Sequence, residues 1–109
     1  MDTISLIKNM LTAATGAAKG HAKDLENYLK ARVKLIADGT AAIAADLLKR
    51  KITEEDAKFA FDEIRESEKT AVLAVEATSL AAAQDAINAA LAVAAKALST
   101  ATGIAVPFP

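Results

Sequence analysis

The chain has 109 residues, of which 53% are hydrophobic but only 4% aromatic, and it contains no cysteine. Its 13 basic and 14 acidic residues leave a net charge of −1. The lack of cysteine excludes disulfides and cysteine-based metal clusters, and the balanced charge gives no field that would attract nucleic acid or an anionic membrane surface. The length is that of a single domain.

The N-terminal segment predicts that the chain carries no secretory signal peptide. It begins Met1-Asp2-Thr3, and Lys8 interrupts the first apolar stretch, whereas a signal peptide begins with basic residues and continues with an apolar run. We therefore expect a cytoplasmic protein, or one carried within a larger protein particle.

The first half of the chain has the periodicity of a helix. Apolar and small residues recur at alternating steps of three and four from Ile4 to Leu47, which predicts one helix over residues 3–50. The phase continues through Gly16, Gly20 and Gly39. A break near residues 16–20 is the alternative, so the pattern leaves open whether residues 1–20 continue the first helix.

A short turn is predicted at residues 51–53. Three basic residues, Lys49 to Lys51, suit the C-terminus of a helix, while Thr53 and Asp56 form an acidic variant of the capping box at the start of the next helix. Because the link is so short, the two helices must run antiparallel. Thr53 and Asp56 are thus the predicted hinge cap.

The second helix is predicted over residues 54–102 and changes character along its length. Ten of the eighteen residues from Thr53 to Thr70 are charged, but only three of the thirty-one from Ala71 to Ala101. Gly103 is a typical residue just past a helix end, and Pro107 prevents the helix from resuming. A helix that is apolar nearly all round must be enclosed by other helices or by lipid.

These patterns predict an all-α protein: a long antiparallel helical hairpin of two helices, each of about 48 residues and about 70 Å long. Residues 1–103 form its single domain, and residues 104–109 form an apolar extended tail. A single copy would have a thin core, so we expect self-association to complete a helical bundle. The predicted self-association residues are Leu73, Leu80, Ile87, Leu91, Leu98, Ile104, Val106 and Phe108.

No pattern in the sequence indicates catalysis or cofactor binding. His21 is the only histidine, the serines lack a nucleophile elbow, and the four glycines form no phosphate-binding loop. We therefore predict no catalytic, cofactor-binding or metal site, and we expect that the protein is not an enzyme.

Three functions remain open. The first is a structural protein that self-assembles into a homo-oligomeric bundle, filament, tube or shell. The second is a small binding module or regulator, built as a dimeric four-helix bundle that presents its charged hinge to another protein. The third, less favoured, is a membrane-active or lipid-coating protein, because residues 77–95 are long enough to span a bilayer but carry Asp85 at the middle.

Overall fold

The computed structural model describes residues 1–106, and within them the fold is all-helical, as predicted. The molecule measures 43 × 24 × 20 Å along its principal axes. Short 3-10 turns at Lys19–His21 and Val72–Ala74 follow the first and third helices. The four helices are α1 (Thr3–Ala18), α2 (Glu26–Leu48), α3 (Glu54–Ala71) and α4 (Ala77–Thr102).

The prediction of two helices of about 48 residues is wrong, because each arm is broken near its middle. The first arm breaks after α1, where Lys19 has a positive φ of 52° with ψ −123°, outside the helical regions. This break lies beside the glycine pair that the sequence offered as an alternative. The second arm breaks at Val75 and Glu76, whose ψ angles of 145° and 143° are extended. Each arm thus forms two shorter helices that can pack against each other.

The four helices form an antiparallel up-down bundle around a central pair, α2 and α4. α1 packs against α2 and α4, and α3 packs mainly against α2. Within residues 1–106, α1 and α3 make no contact with each other. They therefore lie on different sides of the central pair.

The helix pairs keep the order of a hairpin centred on the turn between α2 and α3. Arg32 of α2 contacts Glu68 of α3. Residues between 1 and 9, at the start of the chain and of α1, line a cleft with residues of α4 between 93 and 101. In both pairs a residue n of the first arm lies beside residue 102 − n of the second, to within about half a helical turn. The fold is thus a long hairpin that is folded over once at its middle.

The core combines a few large side chains with many alanines. Ala14, Ala83, Ala90 and Ala94 are completely buried, and such small side chains let helix backbones approach closely. The apolar half of α4 is enclosed by α1 and α2 of the same chain. The largest fully buried apolar side chains are Met10, Leu29, Val33, Ile36, Ile87, Leu91 and Leu98.

The ends of the helices carry the expected caps. The Thr53 hydroxyl accepts a hydrogen bond from the Asp56 backbone N–H at 3.1 Å, and the Asp56 carboxylate accepts one from the Thr53 N–H at 3.0 Å. This capping box fixes the start of α3, just after the turn in which Arg50 has φ 58°. At the other end, Gly103 takes the left-handed conformation that ends α4.

The first part of the C-terminal tail packs against its own chain. Ile104 is 6% exposed and belongs to the core. The Val106 N–H donates a hydrogen bond to the Ser99 hydroxyl at 3.2 Å. Phe108, which the sequence assigned to self-association, lies outside the described residues.

Candidate functional site

The described residues contain no group of three or more metal-ligating side chains of histidine, cysteine, aspartate or glutamate. None of the helices within residues 1–106 has both the length and the apolar character needed to cross a bilayer. His21 lies half-buried, with Nδ1 3.3 Å from the Ser79 hydroxyl. This contact joins the α1–α2 connection to the first turn of α4.

A partly buried ion pair joins α2 to α3. Arg32 donates two hydrogen bonds to the Glu68 carboxylate, from Nε at 2.8 Å and from Nη2 at 2.6 Å. Glu68 is only 4% exposed, and these hydrogen bonds raise the pKa of Arg32 above its ordinary value. Because the two charges neutralise each other in bidentate geometry, the pair acts as a clamp between the helices.

Tyr28 lies near this clamp on α2. Burial raises the pKa of its phenol above the ordinary value, the Arg32 charge lowers it and the Glu68 charge raises it. Its hydroxyl is buried without a hydrogen-bond partner, as is Nε of Arg65 on α3. Neither side chain lines any of the clefts described below, so these two groups do not define a binding site.

An open cleft of about 590 Å³ lies between the start of α1 and the end of α4. Its floor is apolar, with Leu6, Val93 and Ala97, and its rim carries Asp2 and Lys96. Ser5 also lines the cleft, and its hydroxyl donates a hydrogen bond to the Asp2 carboxylate at 2.8 Å.

Four of the seven predicted self-association residues that the structure describes lie inside the bundle. Ile87, Leu91, Leu98 and Ile104 are at most 6% exposed, because the chain's own α1 and α2 cover the apolar half of α4. Three others are less enclosed: Leu80 and Val106 are half-buried and Leu73 is 62% exposed.

An exposed apolar surface runs along α1, at the start of the periodic pattern that the sequence shows from Ile4 to Leu47. We call it the α1 edge, and it consists of Ile4, Ile7 and Leu11. Ile4 is 82% exposed, and all three residues line a shallow cleft. α1 carries two adjacent apolar stripes, and the other one (Leu6, Met10, Ala14 and Ala18) enters the core. The presence of two apolar stripes on α1 is the sequence signal for the α1 edge, because only one of them enters the core.

The outer face of α3 carries a second exposed apolar group. Phe59 is 66% exposed and lies on the opposite side of α3 from the buried residues Ala57 and Glu68. Its neighbours at helical spacing, Glu55, Asp62 and Glu63, are all exposed. We call this region the α3 face.

The α1 edge and the α3 face each have apolar side chains beside charged ones. No family model, curated protein or solved structure matches this chain.

Proposed function

We propose that the protein is a structural, self-assembling helical-bundle protein whose copies associate through their outer helix faces. The observation that carries this proposal is the α1 edge. Ile4, at 82% exposure, lines a shallow cleft together with Ile7 and Leu11. Burying this edge against a second copy would remove apolar surface from water that the single chain leaves exposed.

Two further features support association between identical copies. The net charge of −1 creates almost no overall repulsion between copies. The core is complete within one chain, so a copy can join or leave an assembly as a folded unit. Assembly then depends on outer surfaces such as the α1 edge, and not on the buried seam of α4.

The test is the mass of the protein in solution, measured by light scattering after size exclusion at chain concentrations up to about 1 mM, where even millimolar contacts are populated. We expect the natural chain to give masses above that of one copy, 11.3 kDa, with regular particles in electron micrographs. Ile4→Glu should reduce the mass to that of one copy, because it places a charge on the α1 edge.

Ala92→Glu is the matched control, since it adds the same charge at an exposed position on the outer side of α4. It should assemble like the natural chain, and circular dichroism should show equal helix content in all three proteins. A natural chain that stays at 11.3 kDa throughout the concentration range would overturn the proposal, as would an Ile4→Glu variant that assembles as well as Ala92→Glu.

A further inference from the structure

The acidic side chains of the chain are concentrated on one helix. α3 carries three basic and seven acidic side chains, a net charge of −4. α1 and α2 together carry four basic and three acidic side chains, a net charge of +1, and the turn at residues 49–53 adds three basic ones. α3 is therefore the acidic helix of a nearly neutral molecule.

The α1 edge continues into a basic groove between α1 and α2. Leu11 and Thr15 line both the cleft of the α1 edge and a second cleft that reaches Leu29 of α2. Three lysines and one glutamate line the two clefts. The glutamate, Glu26, forms an ion pair with Lys30, with Oε1 2.9 Å from Nζ. The lysines are Lys8, Lys23 and Lys30. We call this combined surface the α1–α2 groove: it has an apolar floor and a positive rim.

The α3 face has the complementary character. Its apolar group, Phe59, lies among three exposed carboxylates, with Glu55 one helical turn before it and Asp62 and Glu63 one turn after it; Asp62 is paired with Arg65 of the same helix. Aromatic side chains are enriched at the centres of protein interfaces, and charges at the rim. The groove and the face thus match in both apolar and charge pattern.

The two surfaces of one molecule cannot meet each other. α1 and α3 make no contact within the described residues and lie on different sides of the central α2–α4 pair. When the groove of one copy binds the face of another, the resulting pair still has one free groove and one free face. Such a head-to-tail contact repeats, and it generates a ring if the rotation closes or a filament if it does not.

We infer that the α3 face of one copy docks into the α1–α2 groove of the next. Phe59 covers the apolar floor around Ile4 and Leu11, and the carboxylates beside Phe59 lie against the lysines of the rim. This inference rests on the proposed function, to which it adds the direction of assembly. Its occupant is a second copy of the chain, because the copy itself supplies both complementary surfaces.

The test combines two variants that each block one surface. Ile4→Glu brings a carboxylate into the groove and Phe59→Glu replaces the aromatic group of the face by a carboxylate, so each variant places a charge where the contact buries apolar side chains, and the two blocked surfaces repel each other. Both side chains are exposed, so neither change disturbs the core. Each variant alone should have the mass of one copy, 11.3 kDa. An equimolar mixture should form a one-to-one pair of twice that mass and stop there, since only one intact groove and one intact face remain.

Salt provides an independent check of the charge contribution. Raising the ionic strength from about 50 to about 500 mM should weaken the mixed pair by at least about tenfold, because the rim charges are screened. The Ile4→Glu variant alone at low salt is the control, and it should keep the mass of one copy.

The outcomes separate this inference from the proposed function. If the natural chain assembles but the two variants do not pair, the head-to-tail contact is wrong and self-assembly through another face stands. If the natural chain does not assemble and the two variants do not pair either, both proposals fail. If either variant alone assembles as the natural chain does, the groove and face do not form the contact.

Discussion

His21 and Ser79 lie on opposite arms of the chain, and their side chains approach to 3.3 Å at the level where both arms turn back. The break between α1 and α2 and the break between α3 and α4 are therefore side by side. Residues 72–76 contain neither glycine nor proline, so local sequence does not impose the second break. This break exists because it lets the hairpin fold over at its middle, which buries α1 and α2 against α4.

Glu76→Pro tests the second break directly. Glu76 has φ −52° and follows the extended residue Val75, a geometry that proline adopts without strain. We expect the free energy of unfolding, from urea titration, to change by less than about 1 kcal/mol. Glu66→Pro, in the middle of α3, is the control and should cost about 3 kcal/mol or more. Equal losses in the two variants would mean that the helix continues through residue 76.

Gly39→Ala tests the close packing of α2 on α3. A Cβ atom at Gly39 would lie 2.8 Å from Cδ1 of Ile64, whereas one at Gly16 would meet nothing within 4 Å. Thermal unfolding should show that Gly16→Ala stabilises the protein by about 0.5–1 kcal/mol. Gly39→Ala should destabilise it by about 1 kcal/mol, since the overlap outweighs the helix propensity.

The Ile64→Val change provides the control for this steric argument, because it removes the Cδ1 atom. In that background Gly39→Ala should be less destabilising by about 1 kcal/mol, the expected size of a coupling between residues in contact. Additive effects of the two changes would contradict the close approach.

Tyr28→Phe should stabilise the protein by about 1 kcal/mol. The hydroxyl is buried without a partner, so the folded chain gives up its hydrogen bonds to water and gains none in return. The change leaves the aromatic ring in place. A loss of stability at neutral pH would show that the hydroxyl has a partner in solution.

The same residue makes a prediction for alkaline pH. Burial raises the pKa of the Tyr28 phenol in the folded state, so the unfolded chain loses this proton first. The stability of the natural chain should therefore fall as pH rises from the unfolded value of about 10 through the folded pKa. Urea unfolding between about pH 9 and pH 11 should show a shallower fall for Tyr28→Phe. Identical slopes would contradict the assignment.

Asp56 makes the opposite prediction for acidic pH. The hydrogen bonds from the Thr53 backbone N–H and then the Thr53 side chain lower the pKa of this carboxyl below 3.8. Its contribution to stability should be complete above that value and disappear as pH falls through the folded pKa. In Asp56→Asn the decline of helix content between about pH 4 and pH 2 should be shallower, whereas Glu55→Gln should follow the natural chain.

The sequence predicts the helical class, the turn after α2 and the end of α4, because each has a local cause. Thr53 and Asp56 form a capping box, and Gly103 supplies a left-handed residue. The breaks in the arms have no such cause. Lys19, beside a glycine, has a positive φ, and the hydrophobic period continues past it, so periodicity alone predicts one long helix.

The candidate surfaces are harder to predict for a related reason. The apolar half of α4 looks like an interface in the sequence, but folding over buries Ile87 and Leu91 within the chain. The exposed apolar surface depends on which stripe of α1 the bundle covers. The tertiary packing, and not any short segment, determines this, and it leaves Ile4 exposed to solvent.

The order of pairing along the folded hairpin has a consequence for the kinetics of folding. α2 and α3 are joined by only five residues, 49–53, whereas the contact of α1 with α4 joins segments from opposite ends of the chain. Contacts of small sequence separation form fastest, so α1 closes on α4 late. Until it does, the alanine-rich side of α4 that α1 covers faces solvent, and the rate of this closure sets how long a newly made chain is open to misassembly with its neighbours.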